Sequence, residues 1–257
     1  MFVKRFLLKR VILLILFAFL GFITPLGVQI LSVKATSVTN IEKTLVLTTN
    51  NTNPRQLVQQ GTNFYEAGQF AEAILIWKRA VDAFAAKGDK LGQAMALSNL
   101  SLTYQQLGQW EEAGDAISQS LFLLENSNSA SNILAQTLNI QGRLQLSLGQ
   151  TEQAIDTYQR AANLYQQAGD QTGLIRSLIN QSQALRGLGL YHRALKILNS
   201  VNAELNAQPD SIVKAAGLRS LGNTLLIVGD IEQAQKILQQ SLEIAQKLNA
   251  KQDIAET

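Results

Sequence analysis

Glycine returns along this chain at an almost constant interval: Gly68, Gly108, Gly149, Gly189 and Gly229 stand 40, 41, 40 and 40 residues apart. Five residues after each comes an alanine (Ala73, Ala113, Ala154, Ala194, Ala234), and eleven before each a leucine (Leu57, Leu97, Leu138, Leu178, Leu218). Seven before each the side chain is small: Gly61, Ser101, Gly142, Ser182 and Gly222. Chance does not keep four columns in register over five units. A chain so patterned is restricted to a repeat array, whose units bury their apolar sides only by stacking on one another.

Helix is the element the composition favours, since Ala, Leu, Gln and Ile dominate and only three prolines occur in 257 residues. Antiparallel helices approach closely only where facing side chains are small, so the small residue and the alanine mark a crossing within each unit. The glycine between them ends the first helix, because a left-handed terminal residue costs least without a Cβ. Two residues later Phe70, Trp110, Tyr191 and Ile231 are placed to plug the turn, with Thr151 as the exception. Nine residues after the glycine, Trp77, Ile117, Tyr158, Leu198 and Leu238 share the alanine's face and are expected to fill the groove between successive hairpins. Ala80, Ser120, Ala161 and Ser241, twelve after it, are expected to let the next hairpin stack, Val201 being bulkier. Aspartates in Gly88-Asp89, Gly169-Asp170, Pro209-Asp210 and Gln252-Asp253 are placed to cap the following helix.

These columns resemble the tetratricopeptide repeat, a helix-turn-helix unit with small residues at such offsets, in a variety longer than the usual 34-residue period. The resemblance implies an all-α, right-handed solenoid of about ten helices. Five repeats are expected over residues 54–93, 94–134, 135–174, 175–214 and 215–248, and 249–257 reads like the opening of a truncated sixth. No polar capping helix follows, so the last face is expected to meet more chain, a partner or a second copy. The long period behind an export leader is also similar to the amino-terminal halves of bacterial, especially cyanobacterial, proteins in which such repeats precede a caspase-like CHAT domain. That implies a regulatory half of a longer protein as one alternative. The chemistry of such a domain needs Cys and His; this chain has no Cys and a single histidine, His192.

Residues 1–35 form a cationic start (Lys4, Arg5, Lys9, Arg10) followed by an apolar run from Val11 to Leu31. This is a signal peptide, with cleavage expected after Ala35, or alternatively a membrane anchor; both readings put the repeats outside the cytoplasm, in a periplasmic or extracellular space. Residues 36–53 are a Thr/Asn-rich linker. The formal charge of +3 is confined to the leader: from Thr36 onward 17 Lys and Arg face 19 Asp and Glu. A basic stripe for nucleic acid is therefore not expected.

No catalytic triad, phosphate-cradling loop or metal-spaced cluster is present in the sequence, so no enzymatic activity, cofactor or metal is expected. His192 reads as a surface histidine, and Trp77 and Trp110 as core residues. Glu111 and Glu112 suit the start of a second helix. Asn99 and Asn180 begin glycosylation sequons whose serines fall at the crossing, so modification is not expected. The resemblance implies a concave groove lined by the first helices, where family members hold extended peptides. Outward positions on those helices are Arg55, Gln59, Thr62, Tyr65, Asn99, Gln106, Asn139, Arg143, Arg176, Asn180, Gln183, Arg186, Arg219 and Asn223. Asparagine amides pair with peptide backbone and arginines fork onto carboxylates, which suits an acidic peptide or a carboxyl terminus. The expected function is a non-catalytic scaffold binding protein partners, with a self-associating spacer as the other alternative.

Overall fold

A computed structural model describes residues 53–125 and 131–248. The leader, the linker up to residue 52, the Asn/Ser link at 126–130 and the opening of a sixth repeat at 249–257 lie outside the described residues. Among the described residues ten helices pair as α1 (Pro54–Glu66) with α2 (Phe70–Ala86), α3 (Lys90–Gln106) with α4 (Trp110–Leu124), and α5 (Ser131–Ser147) with α6 (Thr151–Ala168). The last two hairpins are α7 (Gln171–Gly187) with α8 (Tyr191–Asn206) and α9 (Ile212–Val228) with α10 (Ile231–Lys247). The periodic glycines sit in the turns with φ from +69° at Gly108 to +88° at Gly229, the left-handed conformation a Cβ disfavours.

The small-residue column brings the two helices of a hairpin together, meeting the expected alanine column at Ser101–Ala113 and Gly222–Ala234 and, in addition, the column nine after the glycine that was expected between hairpins. A Cβ on Gly61 would lie 2.8 Å from the Trp77 ring, one on Gly142 2.7 Å from Tyr158, and one on Gly222 2.6 Å from Leu238. Trp77, Tyr158 and Leu238 therefore pack inside their own hairpin. Where the small residue is Ser101, its hydroxyl donates to the Ala113 carbonyl at 2.8 Å, a bond across the same crossing. Contact between hairpins involves a column sixteen residues after the glycine as well as the expected column twelve after it, where Ser120 meets Thr137 and Val201 approaches Gly217. Phe84 and Tyr165 lie over Gly92 and Gly173 at the start of the next first helix, and Leu205 reaches Gly217. Leu124, in the same column, is also buried.

A side-chain cap closes the start of all four first helices whose N-cap residue is described. The Asn53 side chain accepts from the Arg55 amide at 3.1 Å, Asp89 from Gly92 at 2.9 Å and Asp170 from Gly173 at 2.8 Å. At the fourth the expectation is corrected: Ser211, not Asp210, caps α9, accepting from the Lys214 amide at 3.2 Å. The helix begins one residue later than an Asp210 cap requires. Asp210 instead accepts from Lys247 Nζ at 2.8 Å, with Lys214 Nζ at 3.9 Å. The bond from Lys247 holds its carboxyl below the usual range, and Asp210 raises the Lys247 ammonium in return.

First and second helices bury themselves differently. On α2 the buried residues Ala73, Ile76, Trp77, Ala80 and Phe84 form a stripe at helical spacing. On α3 buried positions occur on nearly every side, from Ala94 to Gln105, because α2, α4 and α5 all pack on it. Each first helix also touches the first helix of the next hairpin, whereas successive second helices make at most marginal contact. First helices thus crowd along one side of the stack and second helices fan out along the other. The core is correspondingly a chain of linked clusters. One junction between hairpins is polar: Ser98 Oγ lies 2.8 Å from Ser120 Oγ and 2.7 Å from Thr137 Oγ1, tying α3, α4 and α5.

Candidate functional site

The crowded side of the stack presents the exposed edges of α1, α3, α5, α7 and α9, which makes it the inner face. Its charge is one-sided. α3, α5, α7 and α9 contain no Asp or Glu, and Glu66 is the one acid on α1. The same five helices carry Arg55, Lys90, Arg143, Arg176, Arg186, Lys214 and Arg219. Acids reside on the second helices and in the loops, among them Glu111 and Glu112 in the first turn of α4, where carboxylates favour the helix dipole.

The residues expected to line the groove divide by accessibility. Arg55, Gln59, Arg143, Arg176 and Gln183 are exposed. Thr62, Tyr65, Asn99, Gln106, Asn139, Asn180, Arg186, Arg219 and Asn223 are half-buried. Several are engaged within the protein. The Gln106 amide donates to the Tyr65 hydroxyl at 2.8 Å, linking α3 to α1, while Tyr65 meets Phe70 edge to face at 5.5 Å. Thr62 donates to the Val58 carbonyl, and the Gln59 amide to Asn63. Asn139 donates to Ser177 Oγ at 2.8 Å, linking α5 to α7, while its Oδ1 is buried without a hydrogen-bond partner. The hairpins immediately before and after it place Ser98 and Ile179 at the same offset, ten before the glycine, and both are buried.

What the arrangement leaves accessible is a run of guanidinium groups on α5 and α7. Arg143 and Arg176 are exposed, and Arg186 is half-buried with its Nη1 enclosed and without a hydrogen-bond partner. Beneath them lie two buried tyrosines, Tyr158 and Tyr165, whose hydroxyls burial pushes above the ordinary range, Arg143 and Arg176 respectively opposing that shift. They remain neutral, so the cationic character of the face is not offset from below.

Elsewhere the side chains singled out in the sequence have structural places. Trp77 is 2% exposed, as a core residue is, but Trp110 is 40% exposed and its assignment to the core is corrected. It opens α4 in the turn, where one ring edge lies against Gly108 and the other meets solvent. His192 is exposed near the start of α8, and among the described residues no group of three or more His, Asp or Glu could hold a metal ion. Asn99 and Asn180 lie within helices whose sequon serines, Ser101 and Ser182, are buried. No helix among the described residues is long and apolar enough to cross a membrane.

Sequence profiles described as tetratricopeptide repeat match residues 126–201, 93–113 and 220–248. No characterised protein of curated function matches the chain by sequence. Among solved structures, BtubC (BKLC) from P. vanneervenii is similar at a TM-score of 0.64 and 17% identity, covering 84% of this chain and 90% of that one. A Rap protein complexed with competence and sporulation factor is similar at 0.69 and 16%, covering 77% of this chain and 55% of that one. A signal transduction ATPase with numerous domains, bearing a tetratricopeptide repeat sensor, from Pyrococcus horikoshii is similar at 0.70 and 13%, covering 79% and 31%.

Proposed function

The chain is a tetratricopeptide-repeat protein, and from that premise we propose that it is a scaffold that holds acidic peptide segments of protein partners along the inner face of its first helices. One observation carries this reading: four successive first helices without a single carboxylate, bearing Arg143, Arg176 and Arg186. A face of one sign attracts the opposite sign at long range, and guanidinium groups fork onto carboxylates at short range. Asn180, Gln183 and Asn223 stand beside them to pair with peptide backbone. The Rap protein, a structure of the same fold, is complexed with competence and sporulation factor. No chemistry beyond surface complementarity is part of the proposal.

The test is a titration of the full-length chain with a fluorescein-labelled Glu-rich octapeptide and its Gln-rich counterpart. The acidic peptide binds at least about tenfold tighter at low salt, and the preference shrinks as ionic strength rises past the point where the screening length falls to about 10 Å. Changing Arg143, Arg176 and Arg186 together to Glu abolishes the preference. Equal binding of both peptides, or a preference that survives the triple change, overturns the proposal.

Export through the leader belongs to the same proposal and is supported by the cationic and apolar order of residues 1–35. The self-association alternative rests on the last hairpin, where Leu226, Ile227, Val228 and Ile231 are exposed alongside polar positions of α10 such as Glu232, Gln239 and Glu243.

A further inference from the structure

The repeat supplies its own control for unusual side chains, and one position on the outer side departs from the rest. Fourteen residues after each turn glycine the side chain is exposed in every unit, and the five are Asp82, Phe122, Asn163, Ala203 and Glu243. Four are polar or small, as a solvated helix face requires. Phe122, on α4, is 73% exposed, more than any other large apolar side chain among the described residues. Single exposed apolar residues are ordinary; this one borders a cleft.

Two hollows meet beside it. One, of about 390 Å³, lies against Phe122 and Leu123; the other, of about 350 Å³, runs between α2 and α4 over Leu100 of α3. Leu97 and Gln119 line both, so they form one groove across the outer side of the first two hairpins, with an apolar floor. Its rim is acidic. Asp82, Glu112 and Asp115 stand along it, and α4 has three acids and no Lys or Arg. The one cation on the rim, Lys78, has its Nζ 5.9 Å from the centre of the Tyr104 ring, drawn to an aromatic face.

We propose that this groove is a second docking site, on the side opposite the arginine face, for a partner segment that presents a large apolar side chain flanked by lysine or arginine. The apolar residue lies between Phe122 and the leucine floor, and the flanking cations stand against Asp82, Glu112 and Asp115. Burying Phe122 against a matching side chain removes apolar surface from water, and the rim selects the sign of the neighbours. The first two hairpins and the two that follow them then take segments of opposite charge, so one array joins two unlike partners.

Four pools of fluorescein-labelled octapeptides test this on the full-length chain at physiological ionic strength: cationic with a central aromatic or leucine, cationic with a central serine, neutral with the apolar residue, and acidic with it. The first pool binds at least about tenfold tighter than the second and third, the size of one well-buried anchor. Phe122→Asn, which installs the residue the third unit carries at that offset, and Asp115→Lys each weaken it at least about fivefold while the helical circular dichroism spectrum is unchanged. The triple change of Arg143, Arg176 and Arg186 to Glu leaves it intact, which separates this site from the inner face. Absence of a preference for the first pool overturns the proposal. So does a preference that survives both Phe122→Asn and Asp115→Lys, or one lost only in the triple variant.

Discussion

Gly114 and Gly142 lie in neighbouring hairpins, and a methyl group added to each has opposite consequences. Gly114 is in the interior of α4 with nothing within 4 Å of where a Cβ would stand, so Gly114→Ala removes only backbone freedom and stabilises by about 0.5–1 kcal/mol. At Gly142 the added carbon would meet the Tyr158 ring at 2.7 Å, and Gly142→Ala costs about 1–3 kcal/mol of overpacking. Urea unfolding of the two variants checks the pair, and a shift of the same sign in both would refute the crossing. The place of Gly142 was legible in the sequence because all five units agree on a small side chain there. The stacking contact of Phe84 on Gly92 was not, since glycine stands at that offset only in the first and third connections and period alone does not pick it out. Trp110 was misjudged for a related reason: its column is large in most units, but largeness at a turn covers a glycine without enclosing the ring.

At the scale of the element, the helices could be delimited from their glycines, and their types needed no tertiary information. Cap identity is finer, because it turns on a single residue of phase. Ser211→Ala removes the acceptor for the Lys214 amide and lowers stability by about 1 kcal/mol in urea unfolding; no measurable loss would mean that α9 is capped otherwise. Asp210 acts between elements, from the α8–α9 connection to Lys247 on α10. Its carboxyl is lowered in the folded protein, so its contribution is present at neutral pH and disappears as pH falls through that lowered value. Asp210→Asn therefore flattens the acid limb of the stability profile in the same measurement. The charge division between first and second helices was only partly legible. Five arginines were placed on the inner face from offsets, yet the missing acids on α3, α5, α7 and α9 become meaningful once those helices are seen side by side.

Across the described array, each hairpin contacts only the hairpins before and after it. Stability is then a sum of unit and interface contributions, and damage stays near its source. In hydrogen exchange read by mass spectrometry, Gly142→Ala lowers protection most in α5 and α6, less in α4 and α7, and least in α1 and α10. An equal fall in all ten helices would show a single cooperative block instead. The inner face could be anticipated from the resemblance, whereas the outer groove could not, because exposure of Phe122 and the joining of two hollows are properties of packed helices. The loose spacing of successive second helices has a mechanical corollary. With the first helices in contact as a continuous line and little to restrain the opposite rim, the stack has the geometry of a leaf spring. An occupant of the proposed groove, longer or shorter than its resting length, would be accommodated by a change of curvature shared among four joints, each moving slightly, with no hairpin having to unfold.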